Sequence, residues 1–284
     1  MTDKDVLCYL EDAPLNFAER SSQTYKEALS KSKAAAVKSN NQELAKTLWC
    51  YEQILIIQDE YIRTFFMIKN HDFYKAWCGL EQVEISVQSL KRHFSDDGGR
   101  FHVSLIQKLT SQWQSLYPYK FFASPAFLKK KVVCSICNKE VLLRHPYGHE
   151  VGEIYDGEMC CRIVTEAELL EISVVPDPVQ KYSALFFSTN SETDEREDNY
   201  DYRIISYLIK CLASPFDPWT FQWTKIRHPH SRYTHLEYDS PCPCESGKTY
   251  GDCCLLESGV LRPHCQFSFL RKPPNDPNEI EYLD

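Results

Sequence analysis

The chain has 284 residues, of which 43% are hydrophobic and 25% are charged, and its formal net charge is −8 at pH 7. This acidic balance disfavours a general nucleic-acid binder, because contacts to phosphate need clustered Lys and Arg side chains. The polar opening at residues 1–5 does not resemble a signal peptide, and apolar runs such as 54–57 and 65–68 are too short to span a bilayer, so we predict a cytoplasmic protein without a membrane partner.

Apolar residues recur at helical spacing between residues 16 and 118. The pattern predicts four amphipathic helices, around residues 25–32, 44–62, 72–90 and 103–113. The capping candidates before the second helix are Ser39, Asn40 and Asn41, and Pro118 follows the last helix. Because the connections are short, we predict an N-terminal domain at 16–118 that is a helical bundle or a pair of stacked helical hairpins.

Cysteines and short β-type segments characterise the second half of the chain, and the whole chain has 13 cysteines. The predicted fold class is therefore α+β, with an N-terminal α-helical bundle followed by small β-rich modules that zinc stabilises. The predicted divisions of this half are a zinc-ribbon-like β/α module at 130–187, an acidic linker at 188–201, a helix–strand segment at 202–239, a zinc knuckle at 240–256 and a disordered tail at 271–284.

The motif Cys134-Ser-Ile-Cys137 is a CxxC pair, which is typical of one half of a zinc ribbon. In a reducing compartment, paired cysteines indicate metal ligands rather than disulfides. A thioredoxin-like redox pair is the alternative, but that motif begins a helix, whereas Val141-Leu-Leu143 downstream favours a second strand.

A zinc ribbon needs two further ligands after its CxxC pair. We predict His149 and Cys160 for these positions. The dipeptide Asp156-Gly157 between them is typical of a hairpin turn, which would return Cys160 to the first pair. His145 and Cys161 remain open as replacements for one of these ligands, because spacing constrains this part of the site loosely.

The segment after the first cysteine cluster predicts strands at 162–164 and 171–175. Thr165 between them is a candidate cap for a short helix around Ala167.

Two regular elements are predicted between the acidic linker and the last cysteines. Residues 202–212 have the pattern of an amphipathic helix, whose inward residues are Ile205, Leu208 and Ile209. Residues 219–226 alternate like a strand, with one face formed by Trp219, Phe221 and Trp223.

Three histidines, His228, His230 and His235, follow this strand. Clustered histidines suggest a catalytic metal, which gives the hypothesis of an enzyme or toxin component with a site near residues 228–235. Their spacing lacks a carboxylate partner in the signature positions, so exposed loop histidines are the favoured interpretation.

The last cysteine cluster has the spacing of a closed tetrahedral zinc site. Its four predicted ligands are Cys242, Cys244, Cys253 and Cys254. Pro243 fixes φ between the first two ligands, and Gly247 supplies the backbone freedom for the return turn. A zinc ion held by four protein ligands has no open position for chemistry.

The pattern C-P-C-x-S-G-K-x-Y-x-x-C-C in this cluster resembles the SEC-C motif, a zinc module best known from the tail of the SecA preprotein-translocase motor. In that motor the resemblance implies docking onto the export chaperone SecB. The chain as a whole resembles bacterial proteins that carry the motif. Glu245 stands where glycine is usual, and positions that are commonly Lys hold Thr249, Gly251 and Asp252. The surface of this module is therefore less basic than is typical.

These patterns favour a non-enzymatic adaptor that binds two zinc ions and contacts a protein partner, either a chaperone or another cytosolic protein. Lys248 and Tyr250 are the predicted partner contacts, because the knuckle turn would leave them facing outward. Nucleic-acid or ribosome association is the alternative, since Lys129-Lys-Lys131, Lys139 and Arg144 lie near the first zinc site.

Overall fold

The computed structural model describes residues 3–142, 148–186, 188–189 and 196–271. The chain divides into two compact units: the first comprises Met1–Tyr202 and Ser214–Phe216, and the second comprises Arg203–Ala213 and Asp217–Asp284. The fold class is α+β, as predicted. Within the described ranges, no helix is long and apolar enough to cross a membrane. The finer module boundaries drawn from the sequence stay predictions.

Helices form the first part of the chain. They are α1 (Asp3–Glu11), α2 (Ala13–Asn16), α3 (Gln23–Lys38), α4 (Gln42–Lys69), α5 (Phe73–Leu90) and α6 (Val103–Leu116). The four helices predicted from apolar spacing are confirmed as α3 to α6. Of the three capping candidates, Asn41 caps α4, because its side chain accepts a hydrogen bond from the Leu44 amide.

The core of the first unit surrounds α4, where Ile54 and Leu55 are fully buried. Gln58 on the same helix is also fully buried, and its side-chain amide donates to the carbonyl oxygens of Leu10 at 2.8 Å and Phe101 at 2.9 Å. These bonds satisfy the buried amide and join both α1 and the segment before α6 to α4.

Four strands follow the helices. They are β1 (Phe122–Cys134), β2 (Ile154–Tyr155), β3 (Glu158–Met159) and β4 (Arg162–Val175). The long strands β1 and β4 pair antiparallel, with Phe122 opposite Val175 at one end and Cys134 opposite Arg162 at the other. The short strands β2 and β3 pair as a small hairpin between them.

The predicted helix around Ala167 is wrong, because β4 continues through this region. Ala167 lies opposite Lys129 of β1, so the backbone here belongs to a ladder. The Thr165 hydroxyl, predicted as a helix cap, instead donates to the carbonyl of Lys131 at 3.4 Å. Pairing with β1 overrides the local helical tendency.

The base of the β1–β4 hairpin is anchored on α5. Glu81 of α5 is 3% exposed and accepts hydrogen bonds from the backbone amides of Lys181 and Tyr182, both at 2.6 Å. Burial raises the pKa of this carboxyl, and the two amides oppose the shift. The indole of Trp77 donates to the carbonyl of Lys181 at 2.6 Å and stacks against Phe122, with ring centroids 6.1 Å apart.

Part of the predicted acidic linker is described. Within it, β5 (Ser188–Thr189) and β6 (Arg196–Glu197) pair antiparallel. After β6 the hydroxyl of Tyr202 donates to the Asp198 carboxylate at 2.7 Å and lies 2.8 Å from the hydroxyl of Tyr119. The described part of this segment is thus fixed by specific bonds that its acidic composition did not predict.

The second unit contains α7 (Arg203–Lys210), β7 (Trp219–His228) and β8 (Val260–Phe269). The predicted amphipathic helix is confirmed as α7, whose buried residues are Ile205, Leu208 and Ile209. The predicted strand is confirmed as β7, but its aromatic face is only partly covered, since Trp219 is 2% exposed and Trp223 is 57% exposed.

Strands β7 and β8 form an antiparallel hairpin, with Trp219 opposite Phe269 and His228 opposite Val260. Residues 229–259 therefore form the connection at one end of this hairpin, and they contain the last cysteine cluster. Of the predicted disordered tail at 271–284, residues 272–284 lie outside the described residues.

Candidate metal centres

The C-terminal cysteine cluster, here called the knuckle site, consists of Cys242, Cys244, Cys253 and Cys254, whose Sγ atoms all lie within 4.8 Å of one another. The Sγ of Cys244 is 3.3 Å from that of Cys242 and 3.5 Å from that of Cys253. The Sγ atoms of Cys253 and Cys254 are 4.0 Å apart. A tetrahedral ion with bonds of about 2.3 Å would separate its sulfur ligands by about 3.8 Å, so the cluster has the size of a zinc-binding knuckle.

A tight turn brings the first two cysteines of the knuckle site to the last two. The amide of Cys242 donates to the carbonyl of Lys248 at 2.9 Å, and an isolated β-bridge pairs Pro241 with Thr249. Gly247 at the return of the turn has a φ of +77°, a conformation that favours glycine, as its place in the sequence predicted.

The thiols of the knuckle site differ in acidity. The hydroxyl of Ser246, together with Cys242 and the Ser246 amide, lowers the pKa of Cys244 to about 6, although partial burial opposes the shift. Burial, together with the neighbouring sulfur atoms, raises the pKa of Cys254 to about 12. A bound cation would favour the thiolate at all four positions, so metal binding here is coupled to proton release.

The predicted outward placement of Tyr250 is wrong. Its side chain is 3% exposed, and its hydroxyl lies 2.6 Å from Nδ1 of His230. The other ring nitrogen of His230, Nε2, donates to the carbonyl of Glu257 at 2.8 Å. In the neutral histidine, Nδ1 is then the acceptor of the Tyr250 hydroxyl. This bridge joins the turn between the cysteine pairs to the chain just beyond Cys254.

Lys248, the other predicted partner contact, is exposed at the knuckle turn. Its role as a contact stays a prediction.

Exposed loop histidines were the favoured interpretation for residues 228–235, and this holds for His235 alone. His228 ends β7 and is 1% exposed, with Nδ1 3.3 Å from the hydroxyl of Tyr233. His230 is half-buried in the bridge to Tyr250. Among the described residues, the three histidines do not form a metal-binding group. No sequence signal pointed to the supporting role of His230, because its partners lie 20 and 27 residues away.

The first cluster, here called the ribbon site, brings together three of the four residues predicted for it. Potential ligand atoms of Cys134, Cys137 and His149 lie within 4.8 Å of one another. Nδ1 of His149 is 3.7 Å from the Sγ of Cys134. Cys160 lies outside that mutually close group, but its Sγ is also 3.7 Å from the Sγ of Cys134 and the residue is fully buried. The donor chemistry and these spacings fit a tetrahedral ion.

The hairpin β2–β3 returns Cys160 to the CxxC motif, as predicted. Asp156 and Gly157 form its turn with φ angles of +51° and +70°. The amide of Cys160 then donates to the carbonyl of Glu153 at 2.7 Å, and the amide of Gly152 donates to the carbonyl of Cys160 at 2.8 Å. These two bonds fix the position of Cys160 next to Cys134.

Of the alternative ligands, Cys161 is placed differently from Cys160. Its amide donates to the hydroxyl of Ser135 at 2.8 Å, and its carbonyl accepts from the Ser135 amide at 3.0 Å. His145 lies outside the described residues. The redox alternative expected the motif to begin a helix, but residues 135–137 form a turn, and the amide of Val141 donates to the carbonyl of Val132 on β1 at 2.9 Å.

Backbone amides also lower the pKa of one ribbon thiol. Burial acts to raise the pKa of Cys134, but the amides of Cys137 and Ile136 outweigh it and the value falls to about 7. The Ile136 amide is 3.4 Å from this sulfur. For Cys160, burial and the neighbouring Cys134 raise the pKa to about 11. Amide donors aimed at a sulfur stabilise the thiolate that a metal requires.

The ribbon site is fastened to the helical bundle of the first unit. Gln42 at the start of α4 donates to the Asp156 carboxylate at 2.7 Å and accepts from the Asp156 amide at 3.1 Å. Lys33 of α3 forms an ion pair with Glu158 at 2.8 Å. His93 after α5 donates from Nε2 to the carbonyl of Gly152 at 2.6 Å. Three separate helical segments therefore hold the loop that carries Cys160.

Both sites could hold a metal ion through protein side chains. All 13 cysteines are free thiols, so neither cluster is closed by a disulfide. Cysteine with histidine is the donor set that zinc takes in structural sites. The assignment of individual ligands stays a prediction.

Comparison with known proteins identifies the second cluster. The family model of the SEC-C motif matches residues 240–256, which include the four cysteines of the knuckle site. No curated protein and no solved structure matches the chain.

Proposed function

We propose that this protein is an adaptor whose two metal centres bind structural zinc, and that it presents protein-binding surfaces on the scaffold that these ions stabilise. The observation that carries the proposal is the donor geometry. The knuckle site places four thiols at tetrahedral spacing, and the ribbon site places three potential ligands together with Cys160 beside them.

The identity of the ion follows from the donors. Thiolate with imidazole selects zinc or iron–sulfur chemistry over magnesium or calcium, and a CxxC pair with a histidine is typical of a zinc ribbon. Four protein ligands complete the coordination of zinc, so each ion would stabilise the fold without an open position for substrate.

The adaptor role rests on where the sites stand in the fold. The knuckle site lies at the end of the β7–β8 hairpin, and Lys248 is exposed on its turn. The ribbon site lies on the helical bundle through Gln42, Lys33 and His93. An ion at each position would fix an exposed loop in one conformation, which lowers the entropy cost of binding a partner.

Metal analysis combined with affinity capture tests this function. Purified full-length protein should contain two zinc ions per chain, and Cys253→Ser should retain one. Captured partners that are lost with Cys253→Ser would be assigned to the knuckle. The matched control is Cys8→Ser, an exposed cysteine outside both sites, which should keep both ions and all partners. A protein that stays folded without metal, or an ion with a water ligand at either site, would contradict the proposal.

Nucleic-acid association gains no support from the basic run on β1. Lys130 forms an ion pair with Glu168 at 2.5 Å, and Lys131 lies opposite Glu166 of β4. These lysines have acidic neighbours within the hairpin, which reduces the positive potential available to a phosphate chain.

A further inference from the structure

The β1–β4 hairpin carries an exposed apolar face. Directly opposite residues of an antiparallel pair share a face, and the register places Phe127 opposite Leu169 and Pro125 opposite Ile172. Phe127 and Leu169 are each 52% exposed, and Ile172 and Val174 are 62% and 63% exposed. A two-stranded sheet with an uncovered apolar face is marginally stable in water, so this face is suited to a covering partner.

The opposite face of β4 is acidic. Glu168 lies opposite Leu128, and Glu171 lies opposite Ala126. Leu170 is an extra residue that forms a bulge in β4. Because of this bulge, Leu169 and Ile172 lie on the same face, and Glu168 and Glu171 lie on the other. A strand laid beside β4 would therefore meet apolar side chains on one face and carboxylates on the other.

The two edges of the hairpin are not equivalent. The outer edge of β1 is covered near Val133, which bridges to Glu140, and near Phe122, which bridges to Ala184. Between these points stands Pro125, which has no N–H to offer to an added strand. The basic run 129–131 further protects this edge, since lysines on an edge strand discourage pairing.

The outer edge of β4 has no such protection within the described residues. There, β4 pairs only with β1, and it contains neither proline nor lysine from Arg162 to Val175. Every residue of β4 except the last is exposed. Its outward N–H and C=O groups form a ready template for strand addition.

We propose that the outer edge of β4 binds an extended segment of a partner protein, in which apolar residues alternate with Lys or Arg. The added strand would continue the sheet through main-chain hydrogen bonds. Its apolar residues would lie beside Leu169 and Ile172 on the apolar face. Its basic residues would lie beside Glu171 and beside Glu168, which already pairs with Lys130 of β1.

A second copy of this chain fits the edge less well. Two β4 strands paired with each other would bring together Glu166, Glu168 and Glu171 from both copies, and like charges across a ladder destabilise pairing. Pairing of β4 with β1 of another copy is opposed by Pro125 and by the bridges at both ends of that edge. Charge and edge chemistry thus favour a basic segment from a different protein.

The proposal goes beyond the adaptor function because it names the chemistry of a partner and a surface in the first unit, whereas the knuckle turn belongs to the second. An experiment can distinguish failure of this proposal from failure of the adaptor function, because different variants test the two. Cys253→Ser removes a knuckle ligand and leaves the sequence of the hairpin intact, whereas substitutions in β4 leave the knuckle ligands intact.

The test uses full-length, metal-loaded protein and one defined probe. The probe is a fluorescein-labelled peptide of five Val-Lys repeats with blocked ends. We expect binding by fluorescence anisotropy, and slower hydrogen exchange of backbone amides in residues 162–175 when the peptide is bound. The double variant Glu168→Lys/Glu171→Lys should bind it at least about tenfold more weakly, because two attractive pairs become repulsive.

Matched controls separate strand addition from general charge attraction. Glu19→Lys/Glu237→Lys makes the same charge change at two exposed positions outside the hairpin and should bind the probe as wild type does. A probe with proline in place of its third valine, and one with Glu in place of Lys, should both bind poorly. Ile172→Thr/Val174→Thr keeps strand propensity but removes apolar surface, and it should also weaken binding.

Three results would overturn the proposal. The first is no binding of the Val-Lys probe up to about 1 mM, which is weaker than ordinary strand addition requires. The second is that wild-type protein binds the proline-containing probe as tightly as the Val-Lys probe, or that Glu168→Lys/Glu171→Lys binds the Val-Lys probe as tightly as wild type does while thermal melting shows that this variant is folded. The third is a wild-type dimer in sedimentation whose amides in residues 162–175 are already protected, since a second copy would then occupy the edge.

Discussion

The knuckle site and the ribbon site use related donors but depend on the fold in different ways. The predicted knuckle ligands lie between Cys242 and Cys254, and a single turn with its own β-bridge positions them. The predicted ribbon ligands are spread from Cys134 to Cys160 and come from the end of a long strand, a loop and a short hairpin.

The source of support also differs between the two sites. The knuckle is supported by the neighbouring chain, through the His230 bridge to Tyr250 and Glu257. The ribbon is supported by distant helices, through residues such as Gln42 and Lys33. A site whose ligands are close in the sequence can form locally, whereas a dispersed site depends on tertiary structure that has already formed.

Removal of one ligand from each site should give the largest effects. Cys253→Ser and Cys134→Ser should each lower the zinc content from two ions to one. Structural zinc contributes about 10 kcal/mol of folding free energy, and we expect each variant to lose several kcal/mol of stability. Chemical denaturation and metal analysis measure both quantities.

The two cysteine variants should differ in where protection is lost. In Cys253→Ser, faster hydrogen exchange should be confined to residues near 240–256. In Cys134→Ser it should extend to the β2–β3 hairpin and to the start of α4, because Gln42 bonds to that hairpin. Equal, local loss in both variants would remove the distinction between a local and a dispersed site.

Lowering the pH should weaken metal binding at both sites. Cys254 and Cys160 have pKa values raised to about 12 and about 11, so metal must displace their protons at any physiological pH. Cys244 and Cys134 have pKa values lowered to about 6 and about 7, so Cys244 is mostly thiolate and Cys134 partly thiolate at neutral pH. Metal has to displace a proton from these two thiols only when the pH falls through those values.

Zinc affinity should therefore rise with pH at both sites, and the change in affinity per pH unit should become larger below pH 7. As pH falls, this increase should begin first at the ribbon site, because its acidic thiol has the higher pKa of the two. Competition with a chromophoric chelator between pH 5.5 and 8.5, in the variants that retain one site, measures this order. Identical profiles would show that the amide and hydroxyl donors around the two thiols have no separate effect on binding.

Loss of the Tyr250 hydroxyl should weaken the knuckle more than loss of an exposed one. Tyr250→Phe keeps the buried ring but leaves Nδ1 of His230 without its donor, which should cost about 1 kcal/mol. The control is Tyr238→Phe, whose hydroxyl donates to Asp252 at 2.8 Å from a side chain that is 55% exposed. Zinc-dependent melting temperatures should fall for the first variant and stay close to wild type for the second.

Separation of the ribbon hairpin from the helices should have the smallest effect. Gln42→Ala removes both bonds to Asp156, and we expect about 0.5–1 kcal/mol of destabilisation because the pair is exposed. Gln23→Ala removes an exposed bond to Glu27 within α3 and serves as the control. Only Gln42→Ala should lower the affinity of the ribbon site, measured by chelator competition.

The sequence predicted best what depends on short-range patterns. The helices α3 to α6 follow apolar spacing, and the Asp156-Gly157 turn and the knuckle spacing follow local backbone chemistry. The continuous strand β4 was missed because its polarity does not alternate evenly, and the bulges that restore the alternation depend on pairing with β1.

The burial of Tyr250 was missed for a related reason. The spacing of the cysteines predicts a turn but does not indicate which of its side chains the rest of the protein covers. His230 and Val260 enclose this tyrosine from segments outside the motif. Side-chain direction in a small metal module therefore depends on the structure to which the module is attached.

The carboxylate of Glu81 determines how the chain can be shortened. It is buried in α5, and the backbone amides of Lys181 and Tyr182 are its hydrogen-bond donors. A truncated chain that ended after α6 would lose both of these donors and the contact between Trp77 and the carbonyl of Lys181, so the exposed surface of α5 would lose the segment that packs on it. A helical fragment that is cut beyond residue 183 should therefore be more stable than one that is cut after α6.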